Sequence, residues 1–171
     1  MIEAGDTAPA IEAPMATPAA AAGKRGEYTA DDVEEFALAD ALADGPVVLA
    51  FFPGVFSRTC TEELCRMGDW WDDLGGLPAS VYGVSVDPPF PQLAFLDSYD
   101  VPIPLISGFN TGVVADYGVR REEGLLRGIA ERAVFVIDPE GTVRYDWLVT
   151  EPQVFPDLEA IREAVAAAAG D

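Results

Sequence analysis

The stretch VVLAFFPGVFSRTCTEELCRM, residues 47–67, decides how this chain folds. Its first six residues are a nearly uninterrupted apolar run, the pattern of a strand buried on both faces of an α/β sheet. Pro53 and Gly54 end that strand. From Cys60 onward the apolar residues change period, and Cys60, Leu64, Met67, Trp70, Trp71 and Leu74 recur at helical spacing up to the Gly75, Gly76 break. The local order is strand, sharp turn, helix. Thr59 followed by Glu62 forms a capping-box pattern, which places Cys60 in the first helical turn.

On the amino-terminal side, residues 5–25 are rich in Gly, Ala and Pro and predict an irregular approach strand or turn. DDVEEFALADALADG, residues 31–45, carries Val33, Phe36, Ala37, Leu38 and Ala41 at roughly helical spacing and predicts a short helix stopped by Gly45. On the other side, SVYGVSVD (80–87) predicts a strand, Pro88 to Pro91 a turn, and LAFLDSYD a short helix. VPIPLIS (101–107) predicts an edge strand, because proline disfavours a central one. GFNTGVVADYGV reads as a short helix or turn. AVFVIDPEGTVRYDWLV (133–149) reads as two strands joined by an Asp-Pro-Glu-Gly turn, hence an antiparallel hairpin. The alanine-rich LEAIREAVAAAAG predicts a closing amphipathic helix. No repeat or linker divides the 171 residues, so one mixed α/β domain spanning 1–171 is expected.

Composition narrows the chemistry. The chain has no histidine, which excludes Ser-His-Asp and Cys-His catalysis and histidine-based zinc sites. Two cysteines, Cys60 and Cys65, exclude a four-cysteine metal site and a multi-bridge secreted scaffold. Ten basic against 30 acidic residues give a net charge of -20, which repels phosphate backbones and anionic headgroups, so neither nucleic acid nor membrane is an expected partner. Lys24 is the only lysine beside nine arginines. This balance fits an acidic soluble protein and resembles proteins adapted to a salt-saturated cytosol, where screening makes self-repulsion tolerable. With no basic leader before an apolar run and no stretch of ~18 apolar residues, a cytoplasmic location is expected.

A cysteine in the first turn of a helix meets free backbone N–H groups and the positive end of the helix dipole, which favour thiolate over thiol. Cys60 is therefore a candidate nucleophile, against the alternative of an inert small core residue. Ser57 offers a hydroxyl three residues earlier, and Arg58 either supports the thiolate or lies on the surface. Five positions on a regular helix put Cys60 and Cys65 about 8–9 Å apart at Cα. A disulfide needs less than ~7 Å, so a bridge would require the first turns to unwind. Cys65 is thus either a resolving thiol or a packed spectator. Trp70 and Trp71 read as packing or interface residues.

Pro53-Gly54-Val55-Phe56-Ser57-Arg58-Thr59-Cys60 resembles the Pro-x-x-x-Thr/Ser-x-x-Cys motif of the peroxiredoxins, the alkyl hydroperoxide reductase/thiol-specific antioxidant group. GDTAPAI matches the usual opening, Glu63 an acidic residue three after the reactive cysteine, Val86-Asp87 the end of the next strand, and Arg132 an arginine before a late strand. The resemblance implies a thioredoxin-like fold, a central mixed β-sheet flanked by helices, and no cofactor or metal. It implies that Cys60 is the peroxidatic nucleophile, that Ser57 bonds the reacting oxygens, that Pro53 shields the site from water and that Arg132 stabilises thiolate and transition state. Glu63 would orient Arg132 or cap the helix.

Serine at 57 keeps the hydroxyl of the commoner threonine but lacks its methyl group, and Thr61 stands where many relatives have proline. The Cys60, Cys65 spacing resembles the bacterioferritin-comigratory branch, whereas Glu131 to Asp138 looks like single-cysteine relatives recycled by an external thiol. Implied partners are a small peroxide and a thioredoxin-like or low-molecular-weight thiol reductant, and a homodimer is compatible with the resemblance. Two other readings use the same cysteines: a thioredoxin-like disulfide oxidoreductase, which lacks its C-x-x-C here, and a non-enzymatic peroxide sensor.

Overall fold

The computed structural model describes residues 1–73, 79–151 and 154–170. Its strands are β1 (Glu12–Ala16), β2 (Glu34–Ala37), β3 (Val47–Phe51), β4 (Ser80–Ser85), β5 (Leu105–Ser107), β6 (Ala133–Ile137) and β7 (Val143–Leu148). They form a seven-stranded sheet in the order β2-β1-β5-β4-β3-β6-β7. β3 pairs parallel with β4, and β4 with β5; the other neighbours are antiparallel. The helices are α1 (Pro18–Ala21), α2 (Leu38–Ala43), α3 (Arg58–Asp73), α4 (Pro89–Tyr99), α5 (Val113–Asp116) and α6 (Leu158–Ala169). The mixed α/β sheet, the 133–149 hairpin and the closing helix all stand where the residue pattern puts them.

All five residues of β3 are buried, and their alternation sorts the core into two layers. Val48, Ala50 and Phe52 face one side with Val134 and Val136, where they meet Cys60, Leu64 and Met67 of α3, Leu93 of α4, and Ile161 and Val165 of α6. Val47, Leu49 and Phe51 face the other side, with Phe135, Ile137, Val113, Tyr117 and Leu38. Covered on both faces, β3 has no solvent side and so no polar alternation. The 60, 64, 67 spacing lays those three side chains on the sheet-facing stripe of α3.

Several local expectations are corrected. The helix predicted over 31–45 is strand β2 followed by helix α2. Phe36 is buried with its ring edge-on to Tyr82 at 4.8 Å, while Glu34 and Glu35 face solvent, so pairing with β1 overrides helical spacing. The segment 5–25 is ordered as β1 and α1, the latter capped by the Thr17 hydroxyl accepting from the Ala20 N–H. β5 is an interior strand between β1 and β4. Pro102 and Pro104 precede it, so proline removes no ladder donor within Leu105–Ser107, and the Pro104 carbonyl accepts from the Gly83 N–H.

The residues read as a turn at Pro88 to Pro91 open α4 instead, because proline in a first helical turn forfeits an N–H that has no intrahelical acceptor. α3 begins at Arg58, so Thr59 lies inside the helix and the capping-box reading fails. Ser57 takes the cap position, its carbonyl accepting the first helical bond from the Thr61 N–H at 2.9 Å. The break expected after Leu74, at Gly75 and Gly76, lies outside the described residues.

Candidate active site

Sheet register brings Arg132 to the strand end that carries Pro53. Phe51 at the end of β3 lies opposite Ala133 at the start of β6, so Arg132 emerges beside Phe52 and Pro53. The chain then crosses the carboxyl end of the sheet, where ligand sites of open α/β folds collect, and enters α3 at Ser57. Cys60 falls in the first turn of α3 and is fully buried. Ser57 is exposed, yet its hydroxyl turns inward and donates to Cys60 Sγ at 3.1 Å. With Ser57 as the cap, the side chain that would ordinarily satisfy a helix amide is given to the sulfur.

Arg132 is 8% exposed and pairs with Glu63, Nε to Oε2 at 3.7 Å. Glu63 is 2% exposed, and both its carboxylate oxygens and Arg132 Nε lack hydrogen-bond partners among the described residues. Burial pushes the Glu63 carboxyl up to about 7, and attraction to Arg132 only partly opposes it. At 3.7 Å without a direct hydrogen bond, the ion pair is too loose to repay desolvation. Glu63 thus faces Arg132 from one turn beyond the thiol, and with no hydrogen bond to a helix amide the reading of it as a helix cap falls away.

Pro53 and Arg132 line an open cleft of about 410 Å³ with Arg121, Glu131, Leu148, Val149, Thr150 and Glu151. Arg121 is held there by a bidentate pair with Glu131, at 2.8 and 2.9 Å. A larger groove, about 880 Å³, runs along β1, β2 and the start of α4, but none of the five candidate residues lines it. The smaller cleft holds two of them, Pro53 and Arg132. Among the described residues no cluster of three metal-ligating side chains occurs.

Cys65 is a free thiol, half-buried in the same continuous helix as Cys60. Burial first, and Asp69 second, push its thiol up. Arg58 is exposed, while Trp70 and Trp71 pack against the core cluster and each other, ring centres 5.8 Å apart. Sequence reasoning passed over Asp87 as a strand end, but its carboxylate accepts the Val55 N–H of the active-site loop at 2.9 Å. The available signal was a Ser85-Val86-Asp87 sequence placing polar side chains at the end of an otherwise apolar strand.

A buried sulfur with an adjacent hydroxyl donor, and a guanidinium paired with Glu63 of the same helix, are groups that can serve a nucleophile and the anion it generates. That is the equipment of a thiol enzyme. The AhpC/TSA family pattern matches residues 4–146. A thiol peroxidase of Aquifex aeolicus is 33% identical over 115 residues, covering 67% of this chain and 67% of that one. Among solved structures, a peroxiredoxin-like protein from Aquifex aeolicus superposes with a TM-score of 0.78 at 30% identity, over 98% of this chain and 88% of that one. Peroxidoxin BcpB from Mycobacterium tuberculosis gives 0.73 at 29% identity, over 98% and 97%. The chain belongs to the AhpC/TSA family, the peroxiredoxins, and its sheet and helices have the thioredoxin-like fold of those neighbours.

Proposed function

We propose that this thiol-dependent peroxidase of the AhpC/TSA family works as one unit over residues 1–171, with Cys60 as the nucleophile for hydrogen peroxide or an organic hydroperoxide. The Ser57 Oγ to Cys60 Sγ contact of 3.1 Å at the mouth of α3 carries this reading. The Cys60 thiolate attacks the terminal peroxide oxygen, forming an S–O bond as the O–O bond breaks. The departing oxygen leaves as hydroxide or alkoxide and takes a proton from solvent, and Cys60 becomes the sulfenic acid. Ser57 releases the sulfur to bond the incoming oxygens, and Arg132 meets the negative charge spread along the S···O···O line. Pro53 walls that line from water.

A thiol then condenses with the sulfenic acid, expelling water and leaving a disulfide that a second thiol reduces. The reductant is a thioredoxin-like protein or a low-molecular-weight thiol. Because α3 runs unbroken from Arg58 to Asp73, condensation with Cys65 requires its first turns to unwind. Intact mass after one equivalent of peroxide, on the parent, Cys60→Ser and Cys65→Ser, tests the scheme. Loss of two hydrogens in the parent, with one added oxygen in Cys65→Ser, establishes resolution by Cys65; one added oxygen in the parent establishes an external thiol. Unoxidised Cys60 under these conditions refutes the peroxidase reading.

A further inference from the structure

We infer that Asp87 is a positioning residue for the peroxidatic loop, reaching Cys60 through Val55, Phe56 and Ser57; this rests on the peroxidase reading above. Phe56 has φ of 61°, a left-handed conformation that a bulky L residue holds only at a cost of about 1–3 kcal/mol. Something on each side must hold it. On one side its own ring stacks edge-on to Phe95 at 5.5 Å and lies 6.2 Å from Tyr99. On the other, the preceding N–H, that of Val55, donates to Asp87 Oδ2 at 2.9 Å. The next residue is Ser57, whose hydroxyl lies on the sulfur.

The Asp87 carboxylate is itself fixed from behind. Ser85 Oγ donates to the same Oδ2 at 2.6 Å, and Gln92 Nε2 donates to Ser85 Oγ and to the Ile106 carbonyl, each at 3.0 Å. Ser107 Oγ donates to the Asp87 main-chain carbonyl at 2.6 Å. Ser85, Gln92 and Ser107 are fully buried. Buried positions on strands and their covering helices are ordinarily apolar, and here both serine hydroxyls and the Gln92 amide nitrogen are hydrogen-bonded, leaving Gln92 Oε1 as the one atom of the three side chains without a partner among the described residues. The network joins β4, β5 and α4 to a loop that would otherwise meet the sheet through the two-residue strand exit at Pro53 and Gly54. The Gly54 backbone lies over the carboxylate, where an added Cβ would stand 3.6 and 3.7 Å from its oxygens.

Both bonds to the carboxylate use one oxygen, so asparagine can reproduce them with its carbonyl and alanine cannot. Rates of Cys60 oxidation by hydrogen peroxide and of its alkylation by iodoacetamide should be measured in Asp87→Ala and Asp87→Asn, both in a Cys65→Ser background. A displaced loop slows the reaction that needs Ser57 and Pro53 in place, and misplacement of about 1 Å costs on the order of 100-fold. Asp87→Ala should therefore lose about 10- to 100-fold against peroxide while alkylating at or above the parent rate, and Asp87→Asn should stay within about threefold of the parent in both. If Asp87→Ala does not fold, Ser85→Ala, which leaves Gln92 its bond to Ile106, should show the same split at smaller size. Parent-like peroxide rates in the folded alanine variants, or equal losses in alanine and asparagine, overturn the inference. A parent Cys60 inert to peroxide instead overturns the peroxidase reading itself.

Discussion

Replacing Glu63 by glutamine should change how stability depends on pH, by an amount the site geometry sets. The carboxyl is 2% exposed, has no hydrogen-bond partner among the described residues, and sits 3.7 Å from Arg132 Nε. Its ordinary value of 4.5 rises to about 7 in the fold. A raised carboxyl means the folded state holds a proton that the unfolded state has released, so stability falls as pH climbs between those two values. The contribution of neutral Glu63 is whole below pH 4.5 and lost as pH rises through about 7. At about 1.4 kcal/mol per pH unit, that interval amounts to roughly 3 kcal/mol. Glutamine has the same shape and does not ionise. Urea unfolding of the parent and Glu63→Gln at fixed ionic strength, from pH 4.5 to 8, removes every other carboxylate from the comparison because both proteins carry them. Stability of the variant minus that of the parent should climb by about 3 kcal/mol up to just above pH 7 and then level off. Parallel curves would refute burial as the dominant influence, and a parent that gains on the variant with rising pH would show that Arg132 outweighs it.

Two further outcomes follow from packing and charge. Gly83→Ala would put a Cβ 2.5 Å from Leu105 Cδ2 and 3.1 Å from Phe52 Cε1, at the centre of the sheet, so it should lower unfolding stability by about 1–3 kcal/mol; a parent-like urea midpoint would count against the tight packing of β4 on β5. With a net charge of -20, the protein should unfold at a higher temperature in molar than in dilute potassium chloride, and identical melting curves would remove the salt-adapted reading.

How much of this was readable beforehand depended on sequence distance. Ser57 and Cys60 are three residues apart at a helix start, a spacing that alone puts a hydroxyl near a thiol, and the 3.1 Å contact follows from it. The buried run at Val47 to Phe52 and the 133–149 hairpin were legible because their apolar pattern and turn residues act locally. β2 was not, because Phe36 is compatible with either period until β1 supplies a partner. Nor was the interior place of β5, which depends on β1 pairing along its free edge.

Arg132 and Asp87 show the same limit at the site. Nothing within several residues of Arg132 distinguishes it from a solvated strand end, and only the register that sets Phe51 opposite Ala133 carries it to Pro53. Asp87 acquires its partner from a loop 32 residues earlier. Both depend on β3 lying between β4 and β6, since the central strand delivers the loop while its two neighbours deliver the carboxylate and the guanidinium. The proposed nucleophile is thus a local product of one turn, whereas the groups proposed to hold it and to meet its charge are products of strand order. A substitution that shifts β3 against β6 should accordingly damage peroxide chemistry through Arg132 before it disturbs the Ser57 to Cys60 contact, because that contact closes within a single helical turn.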